Sequence, residues 1–76
     1  MEHKLKQIMA KVFDTPIENI CENTSIDNLE NWDSLRHMYM VVALEEEFEV
    51  EFTNEQVTEM LNYQLIFLTL QGKEIN

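Results

Sequence analysis

Apolar residues in the first segment of the chain recur at the spacing of one helical face. The positions that follow the i, i+3, i+4, i+7 and i+8 pattern are Leu5, Ile8, Met9, Val12 and Phe13. The helix should end near Thr15, because Pro16 pushes the residue before it out of the α region. The pattern predicts a first helix over about residues 3–14.

Residues 16–32 show neither a helical nor a strand period. Four aliphatic residues are scattered there among Asn, Asp, Thr and Ser, whose side chains bond to nearby backbone in turns. They are Ile17, Ile20, Ile26 and Leu29. We expect a long ordered loop that these aliphatics and Trp32 anchor to the core. A loop of this length is uncommon in a compact domain unless it has a function.

A second helix is predicted over residues 34–49, which contain no Gly or Pro and are rich in good helix formers. Its inward stripe consists of His37, Val41, Leu44 and Phe48, flanked by Met40. Asp33 precedes this helix and is a strong N-cap residue.

Two shorter helices complete the predicted fold. Thr53 and Gln56 have the spacing of a capping box, which indicates the start of a short third helix. A fourth helix should run from about Tyr63 to Gln71, with Gly72 just past its end. We therefore predict an all-α fold, a small four-helix bundle with a long loop between its first two helices, in a single domain spanning residues 1–76.

Length and charge narrow the possible functions. The chain has 76 residues, 15 acidic and 5 basic, and a formal net charge of -10. A domain of this size buries only about 60% of the surface of its unfolded chain, so it has little room for an enclosed active site and is not expected to be an enzyme. The negative charge argues against nucleic acid as a partner and favours basic proteins. Residues 33–59 form the acidic pole, with eight acidic side chains and one arginine.

Other classes of site lack their sequence patterns. No apolar run is long enough to span a membrane, and Cys21 is the single cysteine, so we expect a cytoplasmic protein without a disulfide. Cys21, His3 and His37 lack the spacing of zinc ligands. The acids between Asp27 and Asp33 lack the glycine and the spacing of a calcium loop. We therefore predict no metal site.

The junction between the long loop and the second helix has the most chemical content. If Asp33 caps this helix, Ser34 occupies its first position, and the serine hydroxyl is free to project into solvent. An anion esterified to that hydroxyl would lie at a helix N-terminus, where backbone N–H groups and the helix dipole favour negative charge. The position suits a phosphodiester.

These residues resemble a known family. Asn31-Trp32-Asp33-Ser34-Leu35, followed by the run Val42-Ala43-Leu44-Glu45-Glu46-Glu47-Phe48, is similar to the acyl carrier proteins, and the likeness extends over essentially the whole chain. The resemblance implies that Ser34 carries 4'-phosphopantetheine and that Asp33 assists the magnesium-dependent phosphopantetheinyl transferase. It also implies that partner enzymes with basic docking surfaces bind Leu35, Val42, Glu45 and Glu46.

Several residues depart from the family pattern. Asn31 stands where relatives usually have a glycine, and it tolerates the same left-handed turn. Arg36 lies in the first turn of the second helix, where the dipole opposes a cation by about 0.3–1 kcal/mol, which indicates a local anion: Asp33 or the attached phosphate. Tyr39 replaces an acid on the recognition face. The last helix is bulkier than in many relatives, which predicts a short or polar cargo.

The sequence favours a free-standing, monomeric carrier of acyl or aminoacyl groups, loaded and unloaded by partner enzymes. The alternative is an unmodified acidic interaction module of the same fold, in which Ser34 is only a residue of the helix start. A Ser34–His37 nucleophilic pair is disfavoured, because no third orienting group can be named, and His37 is more simply a packing histidine. The acids of the second helix, taken alone, suit a solvated face as well as a docking site.

Overall fold

The computed structural model describes residues 2–75, with side chains up to Lys73. Four α-helices follow one another along the chain: α1 (Glu2–Val12), α2 (Ser34–Phe48), α3 (Asn54–Glu59) and α4 (Tyr63–Ile75). A single 3₁₀ turn, Ile17–Asn19, lies in the α1–α2 loop. Within the described residues, extended pairing is limited to one isolated bridge between Ser25 and Asn62. The predicted all-α four-helix fold is therefore confirmed.

The core lies where the inner faces of α1, α2 and α4 meet. Its fully buried side chains are Leu5 and Met9 of α1, Met40 and Leu44 of α2, Ile66 and Leu70 of α4, together with Phe13 and Met60. The predicted stripe of α2 is confirmed, with Phe48 packed at its edge. This core fixes which side of α2 faces solvent, and with it the surroundings of Ser34.

The first helix ends earlier than the proline signal alone predicts. Asp14 has a left-handed backbone, with φ of 51°, and the Thr15 N–H donates to the Ala10 carbonyl at 3.0 Å. This 6→1 bond is the closing bond of a Schellman motif, which satisfies a helix carbonyl that the helix itself leaves unpaired. The helix therefore stops at Val12, two residues before the predicted end. Glu49, with φ of 54°, ends α2 in the same conformation.

The predicted end of the fourth helix is wrong. The helix continues through Gly72 to Ile75, and Gly72 does not have the positive φ of a helix-terminating glycine. A glycine inside a helix costs only about 0.5–1 kcal/mol relative to alanine, so the favourable residues on either side can carry the helix past it. Lys73, one residue later, places its Nζ 5.4 Å from the centroid of the Phe52 ring, which holds the last turn against the bundle.

The long loop is anchored to the bundle near its middle and at the end that precedes α2. Trp32 is buried and stacks on Phe13, with ring centroids 4.8 Å apart. Near its middle, the loop pairs with the α3–α4 junction: the Ile26 N–H donates to the Leu61 carbonyl at 3.0 Å. Ile20, Ile26 and Leu29 pack into or against the core as predicted, but Ile17 does not. These contacts pack the loop against the bundle and position the residues that precede Ser34.

Candidate functional site

Asp33 caps α2 as predicted. Its backbone is extended, with φ of −113° and ψ of −178°, and its Oδ1 accepts the Arg36 N–H at 2.8 Å. Its carbonyl accepts the His37 N–H at 2.9 Å, which is the first hydrogen bond of the helix. The cap therefore uses the aspartate and leaves the neighbouring serine out of the hydrogen bonding of the helix end.

Ser34 is the first residue of α2 and is exposed. Its hydroxyl makes no hydrogen bond within the part of the chain that the structure describes. An exposed, unpaired hydroxyl at a helix N-terminus can accept a bulky ester without the loss of an intramolecular hydrogen bond. An esterified phosphate would also lie near the positive end of the helix dipole.

Arg36 has a different partner from the anion that the sequence suggested. Its Nη1 donates to the Val12 carbonyl at 2.7 Å, at the C-terminus of α1. A cation is favoured there, because the last carbonyls of a helix carry partial negative charge. Asp33, one of the two anions suggested by the sequence, contacts Arg36 through the backbone N–H and not through the guanidinium. A contact between Arg36 and an attached phosphate stays a prediction.

Asn31 does not use the left-handed turn that its residue type would tolerate, because its φ is not positive. The side-chain amide Nδ2 instead donates to the Phe13 carbonyl at 2.8 Å. This bond satisfies a carbonyl at the end of α1 and fixes the loop just before Trp32.

His37 is held by both of its ring nitrogens. Nδ1 lies 3.0 Å from Trp32 Nε1, and Nε2 lies 2.8 Å from the Val57 carbonyl. The indole N–H can only donate and a carbonyl can only accept, so Nδ1 is the acceptor and Nε2 carries the proton. Neither nitrogen is available to take a proton from Ser34. The packing interpretation of His37 is confirmed, and this residue links the loop, α2 and α3.

A surface depression of about 350 Å³ opens beside Ser34. Its lining is mostly apolar and comes from the loop, α2, α3 and the junction between α3 and α4. The residues are Ile26, Ser34, His37, Met38, Val57, Thr58 and Leu61. It is open to solvent. A flexible chain attached to Ser34 could lie along this depression without entering the core.

The predicted partner-binding residues separate into two groups. Leu35, Tyr39, Val42 and Glu46 are exposed on the outward side of α2. Glu45 is half-buried, and its Oε2 accepts the Phe52 N–H at 3.0 Å. This carboxylate therefore stabilises the chain between α2 and α3. Glu45 is therefore less exposed than the sequence predicted, and its role in partner docking stays a prediction.

Met38 is an exposed residue of α2 that sequence reasoning missed. Its position four residues after Ser34 places it next to the serine on the helix surface, and this spacing could have identified it. The sequence interpretation instead treated the methionines together as core filler.

Among the described residues, Tyr63 at the start of α4 has a buried polar atom without a hydrogen-bond partner. Its ring is in the core, and its hydroxyl makes no hydrogen bond within the described residues. Burial, and the negative charges of Glu2 and Glu22, raise the pKa of Tyr63. Tyr63 lines a second depression, apart from the one that Ser34 lines.

Within the described residues, no group of three or more His, Cys, Asp or Glu side chains is arranged to hold a metal ion. None of the described helices is long and apolar enough to cross a membrane.

Comparison with known proteins identifies the class of this domain. The family described as "Phosphopantetheine attachment site" matches residues 3–63, a range that includes Ser34. An acyl carrier protein of Buchnera aphidicola subsp. Schizaphis graminum is 34% identical over 65 residues, covering 84% of this chain and 81% of that protein. A second, from the subspecies Acyrthosiphon pisum, is 32% identical over 76 residues, covering 99% and 94% of the two chains. A third, from Baizongia pistaciae, is 31% identical over 67 residues, covering 88% and 86%.

The matched domain is thus a phosphopantetheine-attachment domain. The chain belongs to the acyl carrier protein family. Membership implies a covalently attached 4'-phosphopantetheine group and a carrier role served by partner enzymes such as transferases. Acyl carrier proteins are carriers rather than catalysts. The exposed, unpaired hydroxyl of Ser34 fits such a group.

Proposed function

We propose that this protein holds an acyl or aminoacyl group as a thioester on a 4'-phosphopantetheine arm at Ser34 and presents it to partner enzymes. The observation that carries the proposal is that two neighbouring residues have different roles at the start of α2. Asp33 caps α2, and Ser34 is left exposed at the first helical position with an unpaired hydroxyl.

The chain's own residues hold and orient the arm. When bound, the phosphopantetheine thiol supplies the covalent chemistry of thioester formation. Asp33 fixes the backbone at Ser34 by accepting the Arg36 N–H, and the N-terminus of α2 favours the negative charge of a phosphodiester. Asp33 would also assist the transferase that attaches the arm. The chain catalyses no step itself, and the engagement of both His37 nitrogens supports this.

The cargo is proposed to be short or polar. The inner side of α4 consists of Tyr63, Ile66 and Leu70, each of which is at most 2% exposed to solvent. Opening the bundle for a long chain would separate these close-packed side chains, which costs packing energy. The depression beside Ser34 can hold a short cargo without opening of the bundle, because it is open at the surface.

The partners are a phosphopantetheinyl transferase and the enzymes that load and transfer the cargo. The basic docking surfaces predicted for these partners would contact mainly Glu46, since the Glu45 carboxylate accepts the Phe52 N–H. The monomeric state, the cytoplasmic location and the single domain over residues 1–76 stay predictions.

Transfer of the arm in vitro tests the proposal. The apo protein and Ser34→Ala are incubated with coenzyme A and a broad-specificity phosphopantetheinyl transferase, and intact mass is measured. We expect one added phosphopantetheine on the wild type and none on the variant, which should fold normally because Asp33 supplies the cap. A wild-type chain that stays apo, while a control carrier is loaded, would favour the unmodified interaction module.

A further inference from the structure

A second depression, of about 250 Å³, lies between α1, the long loop and the start of α4. Its lining consists of two acidic residues, two polar residues of α4 and two apolar residues: Glu2 and Glu22, Tyr63 and Gln64, Phe67 and Leu68. None of these residues lines the depression beside Ser34. The function proposed above therefore makes no use of this second depression.

The Tyr63 hydroxyl is the unsatisfied group of this depression. Tyr63 is 2% exposed, and its hydroxyl makes no hydrogen bond within the described residues. Such a group is uncommon, because buried polar atoms are nearly always paired. Burial and then the charges of Glu2 and Glu22 raise the pKa of Tyr63, so the phenol lies within reach of both carboxylates. Glu2, Glu22 and Gln64 are exposed, so rotation of these side chains can uncover the hydroxyl without opening the core.

An aromatic wall borders the same depression. The rings of Tyr63 and Phe67 are stacked, with centroids 6.3 Å apart and planes inclined by 9°. Leu68 extends this apolar surface and is exposed. The wall can cover the hydrocarbon part of a ligand, and the faces of aromatic rings also attract cations. Lys6 already shows this attraction, since its Nζ lies 5.8 Å from the centroid of the Tyr63 ring.

The charges around the depression favour a cationic ligand. Among the described residues, neither Glu2 nor Glu22 forms an ion pair, and Lys6 offsets only one of their two charges. The chain as a whole carries a net charge of -10, which raises the local concentration of cations. An anion would be repelled. A metal ion would find only two carboxylates here, and no larger group of metal-binding side chains occurs in the described part of the chain.

We propose that this depression binds an organic ammonium ion, that is, a primary amine with a short hydrocarbon body. An ammonium group has three N–H donors, and the depression offers three matching acceptors: the two carboxylates and the Tyr63 oxygen. The hydroxyl proton of Tyr63 can then be donated to a carboxylate, so the hydroxyl is fully paired. The hydrocarbon body lies against Phe67 and Leu68.

An NMR titration tests the site on the apo variant Ser34→Ala, which cannot carry an arm. The probe is hexylammonium chloride, which should cause saturable shifts of the backbone amides of residues 63–68 with a Kd in the millimolar range. Added to this parent, Tyr63→Phe and Glu22→Gln should each weaken binding by about threefold or more, through the loss of a hydrogen bond and of a charge. The matched control is Glu59→Gln, which removes an exposed acid of α3 and should change Kd by less than about twofold.

Hexanol and ammonium chloride separate the two parts of the ligand. Each should cause much smaller shifts than hexylammonium at the same concentration, because hexanol lacks the charge and ammonium lacks the hydrocarbon body. The proposal is overturned if hexylammonium causes no saturable shift, if either control ligand equals it, or if both site variants bind as tightly as their parent. Since the parent carries no arm, none of these outcomes bears on the loading of Ser34. Circular dichroism verifies that each variant is folded.

Discussion

Replacing His37 with phenylalanine should destabilise the protein by about 2–4 kcal/mol. Phenylalanine keeps the ring shape but removes both hydrogen bonds of the imidazole. The Trp32 N–H, which donates to Nδ1 at 3.0 Å, and the Val57 carbonyl, 2.8 Å from Nε2, both lose their partner.

The magnitude follows from the burial of the two groups left behind. Trp32 is 3% exposed, so its N–H cannot reach water, and a buried unsatisfied donor costs about 1–3 kcal/mol. Val57 is half-buried, so its carbonyl can regain some hydration and loses about 1 kcal/mol. A domain of this size has a total stability of about 4–11 kcal/mol, so the loss is a large fraction of it.

Urea unfolding measures the effect. Trp32 is the single tryptophan, and its fluorescence reports on the same site, with circular dichroism as a second probe. The matched control is His3→Phe, the same replacement at an exposed histidine of α1, which should change the free energy of unfolding by less than about 0.5 kcal/mol. The double variant Trp32→Phe/His37→Phe should cost less than the sum of its single changes, because no indole N–H is left unpaired.

If His37→Phe unfolded at the same urea concentration as the wild type with an unchanged slope, the two hydrogen bonds of His37 would not contribute to stability as stated. A folded variant that could no longer receive the arm at Ser34 would indicate a chemical role for the imidazole, which its two hydrogen bonds argue against.

Three further predictions concern α4 and the cargo. Gly72→Ala should raise stability by about 0.5–1 kcal/mol in thermal unfolding, because the residue is helical and an added Cβ would meet nothing within 4 Å; destabilisation would indicate that the helix ends there. Tyr63→Phe should raise stability by about 1 kcal/mol at neutral pH, since it removes a buried hydroxyl without a partner. Because the pKa of Tyr63 is raised in the folded state, ionisation of this tyrosine does not affect stability below the unfolded pKa of about 10 and lowers stability as the pH rises through the folded value. Alkaline melts should therefore show a loss that Tyr63→Phe reduces and Tyr39→Phe, at an exposed tyrosine, does not. Loading with acetyl and then octanoyl groups should leave the melting temperature nearly constant; a rise that grows with chain length would show that the core admits the chain.

Features with a local physical cause could be predicted from the sequence. The aspartate cap of α2 and the capping box of α3, formed by Thr53 and Gln56, depend on residues three apart, and both are confirmed. The inward stripe of α2 follows from helical period alone. The start of α2 at Ser34, which defines the candidate site, belongs to this group.

Features that depend on distant partners could not be predicted. Arg36 reaches the Val12 carbonyl, Asn31 reaches the Phe13 carbonyl, and Glu45 accepts the Phe52 N–H. In each case the partner is a backbone group whose position is set only when the helices pack, and no pattern of residue types encodes it. The predicted end of α4 at Gly72 was wrong for a different reason, because a glycine is permitted within a helix as well as after one.

The central claim is that Ser34 carries the phosphopantetheine arm in the cell, and tandem mass spectrometry of the protein purified from its own organism tests it most directly. The peptide that contains Ser34 should carry phosphopantetheine, free or thioesterified, and fragmentation should release the arm from that serine alone. The mass of the thioester would also identify the cargo. Recovery of the peptide with an unmodified Ser34 throughout, or with the arm on another residue, would contradict the account.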